Sequence, residues 1–147
     1  MGSFSVVCSP QADAVVCDSL VDFEAWLTRT FPDTRILERS GSGVRALEWT
    51  RGDSDRGTTP WMHGSINEDR TTLYLRGDVE LVTTTAVAAR DLFSAAADVV
   101  YMEDWQGIPF DLRKVADADV LARAVEQWDL DFEWHDAAQA VSDRSTH

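Results

Sequence analysis

The chain has 147 residues, the usual size of one domain, and 44% of them are hydrophobic, with six Trp and six Phe. That is enough apolar material for a sizeable core and excludes a wholly disordered chain. Acids outnumber bases 26 to 13, a net charge of −13, which repels phosphate backbones and anionic membranes and attracts cationic proteins.

Direct nucleic-acid binding and membrane association are therefore disfavoured. No run approaches the ~18 apolar residues of a bilayer span. Met1-Gly-Ser-Phe-Ser5 lacks the basic-then-apolar order of a secretory signal. Cys8 and Cys17 have no Cys-x-x-Cys spacing, so a cytoplasmic protein with two reduced, buried thiols is expected, and a disulfide only if the chain works outside the cell. The bases are twelve Arg and a single Lys, Lys114, which suggests a GC-rich genome. Adaptation to high salt is an alternative source of such an acidic, Lys-poor surface.

In chain order, Phe4 to Cys8 reads as a first strand. Ser19 reads as an N-cap, with Asp22 in the capping-box position. Leu20, Phe23, Leu27 and Phe31 recur at helical spacing until Pro32. Strand-like runs follow at Thr34–Arg39 and Val44–Thr50, joined by the hairpin signal Ser40-Gly-Ser-Gly43, and Arg51–Gly57 reads as a polar loop. Trp61–Ile66 and Thr71–Arg76 form a second hairpin around Asn67–Arg70. There, Leu73 and Leu75 face in, and Thr72, Tyr74 and Arg76 face out. Asp78 caps the longest helix, whose apolar stripe is Val79, Val82, Ala86, Ala89 and Phe93. Val99–Met102 reads as a buried strand. Asp117 caps a last helix from Ala118 to Trp128 that uses Leu121, Val125 and Trp128, and a final short strand is placed at Phe132–Trp134.

The pattern predicts an α+β fold: a single, mostly antiparallel sheet with two or three helices packed on one face. Residues 1–141 form that one domain and 142–147 a flexible tail.

Signals for chemistry are weak. His63, His135 and His147 are far apart in sequence, without the short spacing of zinc ligands, and His63 reads as structural or surface. Asp53-Ser-Asp55 opens like a calcium loop, but its sixth and twelfth positions are Thr58 and Gly64 instead of Gly and Glu. There is no Gly-x-Ser-x-Gly elbow and no phosphate-binding loop followed by Lys. Carboxylate pairs decide nothing in so acidic a chain. Neither cofactor, metal nor enzymatic activity is expected.

The charge is uneven. Residues 103–147 carry eleven acids and four bases, net −7, whereas the preceding 102 residues carry fifteen and nine, net −6. Aromatics interleave with the acids at Glu103-Asp104-Trp105 and along Trp128–Asp136. Aromatic anchors supply affinity and carboxylates steer a basic partner, so Glu103, Asp104, Trp105, Asp129, Asp131, Glu133, Trp134 and Asp136 are the candidate partner-binding residues. The aromatics could instead simply cover a sheet edge.

The stretch Gly64–Asp78, leading into Ala86-Val-Ala-Ala89 and on to Asp98-Val-Val-Tyr-Met-Glu-Asp104, resembles small actinobacterial immunity-type proteins that accompany polymorphic toxins. The shared order is a hairpin, an Ala-rich helix and a strand ending in acids. The resemblance carries over no functional residue. It implies an inhibitor that caps a toxin's active site, and many such toxins are basic nucleases.

The expected function is thus an acidic inhibitor of a basic protein partner, immunity or antitoxin in kind. One alternative is a phage- or plasmid-encoded DNA mimic that blocks a nuclease or regulator. A second is a small enzyme or ligand-binding domain with a pocket between sheet and helices. No oligomeric state follows from the sequence.

Overall fold

The computed structural model describes residues 2–11, 14–52, 60–93, 97, 100–104 and 109–130. The N-cap at Ser19 forms as the sequence dictates: its hydroxyl accepts from the Asp22 N–H at 3.0 Å. It opens α1 (Leu20–Thr30), which turns Phe23 and Leu27 inward and ends where Phe31 closes the last turn before Pro32. Asp78 accepts from the N–H groups of Glu80 and Leu81 and opens α2 (Val79–Arg90). Asp117 accepts from the Val120 N–H at 2.9 Å and opens α3 (Ala118–Leu130).

Seven strands, β1 (Gly2–Cys8), β2 (Arg35–Glu38), β3 (Leu47–Gly52), β4 (Trp61–Ile66), β5 (Thr72–Asp78), β6 (Tyr101–Asp104) and β7 (Pro109–Asp111), form one sheet. Its order is β2-β3-β4-β5-β1-β6-β7, and every pairing is antiparallel. The chain's first strand thus lies between β5 and β6, which run parallel to each other on either side of it.

All three helices lie on one face. The Phe23 ring of α1 sits 5.4 Å from Trp49 of β3, Thr85 of α2 meets Met62 of β4, and Leu121 and Val125 of α3 join the same core as Val7 and Met102. The expected α+β class with a single sheet is what the chain adopts.

Several boundaries differ from the sequence reading. Val44 and Arg45 belong to a 3-10 turn, Gly43–Arg45, instead of a strand. Gly41 and Gly43 both have positive φ, and the Ser40 hydroxyl donates to the carbonyls of Ser42 and Arg45, so the connection closes on itself before β3 starts. Phe93 lies beyond the end of α2 yet is buried. Strand β7 was not anticipated; it is three residues long and opens with Pro109, which an outermost strand tolerates because no partner needs its N–H.

Arg51 is not in a loop. It is a strand residue only 8% exposed, and its guanidinium donates to the hydroxyls of Thr85 at 2.8 Å and Thr84 at 3.3 Å. It also pairs with Asp33 at 3.4 Å and lies 3.7 Å over the Phe31 ring. Those partners offset the cost of burying it. The final strand at Phe132–Trp134 and the loop Asp53–Asp55 lie outside the described residues.

Candidate functional site

Because side chains alternate across a strand, the packed core on one face fixes what the other face displays. Leu47, Trp49, Met62, Leu73, Leu75, Val7, Met102 and Phe110 point toward the helices and are at most 2% exposed. Their sequence neighbours form the opposite face, which no described helix covers. Register places Glu48, Ser65, Tyr74, Val6 and Glu103 in one row across β3, β4, β5, β1 and β6. Thr50, His63 and Arg76 form the adjoining row across β3, β4 and β5.

Above these rows lies a hollow of about 440 Å³, lined by Val44, Arg45, Glu48, His63, Ser65, Tyr74 and Arg76. That volume is within the usual range of small-ligand sites, roughly 300–1,000 Å³. It opens on the face away from the helices, whereas the sequence reading looked for a pocket between sheet and helices. Val44 borders it with 60% of its surface exposed. Arg45 reaches toward Glu48 at 3.6 Å. Arg76 is exposed and makes no ion pair or hydrogen bond among the described residues.

Ser65 is 4% exposed, and its hydroxyl has no hydrogen-bond partner among the described residues. His63 is held below its ordinary pKa, first by burial and then by the Arg76 charge. Arg45 adds to this and Glu48 opposes it. At neutral pH the imidazole is therefore uncharged, able to donate from one nitrogen and accept at the other.

Cys8, on the same face of β1 as Val6, and Cys17, which precedes α1 and packs against the core, are free thiols and half-buried rather than buried. The pKa of Cys8 is raised by burial and by Glu103; that of Cys17 is raised by burial, then Asp22 and Asp18, against Arg70. Both thiols are thus protonated and weakly nucleophilic at neutral pH. Among the described residues no three His, Cys, Asp or Glu side chains converge as metal ligands would, and no helix is long and apolar enough to cross a membrane.

Of the residues singled out from sequence, Glu103 is exposed on the uncovered face. Asp104 ends β6 and Asp129 lies in α3, and their side chains fall outside the described set. Trp105, Asp131, Glu133, Trp134 and Asp136 lie outside the described residues altogether. The hollow itself was missed. Its polar residues are single outward positions on separate strands, so only strand register could have gathered them.

No protein-family model, curated protein or solved structure matches the chain.

Proposed function

We propose that the protein is an acidic, stoichiometric inhibitor of a cationic protein, immunity or antitoxin in kind and acting in the cytoplasm. One observation carries this reading: a net charge of −13, of which −7 falls within residues 103–147. Like charges gathered in one stretch destabilise the folded state by self-repulsion, and packing gives no reason to collect them. A cationic partner gives one, because an opposite field raises the encounter rate. The exposed position of Glu103 at the start of that stretch supports it. The inhibitor binds without chemistry and occludes the partner's active site.

The test is association kinetics against the basic protein captured from the native host, with capture compared at low and high salt. Neutralising Asp129, Asp131 and Glu133 together, as Asp129→Asn, Asp131→Asn and Glu133→Gln, is expected to slow association about tenfold or more and to flatten its dependence on ionic strength. A triple variant that associates at the wild-type rate removes this surface from the interface. A ligand-binding domain is the second reading, favoured by the hollow on the uncovered face.

A further inference from the structure

The hollow runs against the character of the rest of the molecule. In a chain with twice as many acids as bases, its lining holds two arginines, Arg45 and Arg76, against the one carboxylate of Glu48. Glu48 is matched by Arg45 at 3.6 Å, which leaves Arg76 as uncompensated positive charge among the described residues. The second observation is Ser65. As a residue it is only 4% exposed, and what it leaves open is its hydroxyl, which faces the hollow. That hydroxyl makes no hydrogen bond to the described residues. A free hydroxyl diagonal to an unpaired guanidinium across β4 and β5 is an arrangement an anionic oxygen completes.

We propose that this hollow binds an organic monocarboxylate with an apolar body. The carboxylate accepts from Arg76 and from the Ser65 hydroxyl, and the body rests against Tyr74 and the exposed side chain of Val44. Glu48 decides the charge. It stands directly opposite Ser65, so a dianion such as phosphate meets more of its repulsion than a single carboxylate does, and Arg45 already offsets part of that charge. The proposal is independent of the acidic stretch and stands whether or not the protein inhibits a toxin. Such a carboxylate has two possible sources, a free small acid or the C-terminus of a peptide.

His63 provides a reporter that a merely structural role for these residues would not move. It faces Arg76 on β5, Arg45 in the 3-10 turn and Glu48 on β3, with Thr50 and Tyr74 beside it. A negative charge placed against Arg76 raises its apparent pKa.

The experiment titrates the whole chain with phenylacetate, phenylacetamide, inorganic phosphate, and a tripeptide ending in Phe with a free or an amidated C-terminus, following His63 by NMR. The expected result is that free carboxylates bind, the amides do not, and the His63 titration moves to higher pH on binding. Binding by phenylacetate names a small acid as sufficient; binding by the free-ended peptide alone names a chain terminus. Arg76→Gln is expected to weaken binding about tenfold or more, since a hydrogen bond to a charged group is of that order, and Ser65→Ala by several-fold. Unchanged unfolding midpoints establish that both variants fold. Equal binding of acid and amide, preference for phosphate, an unmoved His63 titration, or undiminished affinity in folded Arg76→Gln overturns the proposal.

Discussion

Residues adjacent in sequence lead opposite lives on the two faces of the sheet. Trp49, Met62, Leu75, Val7 and Met102 are fully buried under the helices. The residues beside them, Glu48, His63, Tyr74, Val6 and Glu103, make up the uncovered face. On the first face the constraint is volume. Gly64 has no side chain because a Cβ there would stand 2.4 Å from the Trp49 ring, closer than any real contact. On the second face the constraint is charge and hydrogen bonding, with room for side chains to change. A substitution therefore acts on stability or on recognition according to the parity of its position in the strand.

The comparison breaks if substitutions on the two faces have similar effects on stability. Trp49→Ala should be the most damaging, at about 3–5 kcal/mol in chemical denaturation, because it removes the largest fully buried side chain and leaves a cavity. Gly64→Ala, a gain of one carbon, should cost about 1–3 kcal/mol by forcing the indole to shift. Asp78→Ala leaves two N–H groups of α2 without their acceptor and should cost about 1 kcal/mol. On the uncovered face, Arg76→Gln should fall within about 0.5 kcal/mol of wild type in the same assay.

The smallest effect is a pH slope. His63 ordinarily titrates near 6.5 and is depressed in the folded protein, so the unfolded chain binds the proton more readily. Stability contributed by the neutral imidazole is present above 6.5 and is lost as pH falls through the folded value. His63→Asn should flatten that part of the stability profile between about pH 5 and 6.5, where histidine titrates before the carboxylates.

Local signals were legible in the sequence because their causes are local. Ser19, Asp78 and Asp117 each satisfy N–H groups a few residues away, Pro32 ends α1, and the alternation around Leu73 and Leu75 is a property of β5 alone. Illegible features depend on distant partners. Nothing near Arg51 announces that its guanidinium will be satisfied by Thr84 and Thr85 of α2 and by Asp33. Nothing in residues 2–8 says that their neighbours will be β5 and β6. The site divides the same way. The acidic stretch could be counted from composition, whereas the hollow exists only after Glu48, His63 and Arg76 are brought into register.

The place of β1 has a consequence for how the molecule is made. It precedes both its partners by more than sixty residues, Cys8 pairing with Thr72 and Tyr101, so during synthesis it waits unpaired until β5 and β6 have emerged. The β2–β5 meander can zip by itself, but joining it to β6 and β7 requires β1 to slot between them. Such distant closures are slow, which makes the insertion of β1 the natural bottleneck of folding. An extension or tag that hinders residues 2–8 would leave two half-sheets instead of one.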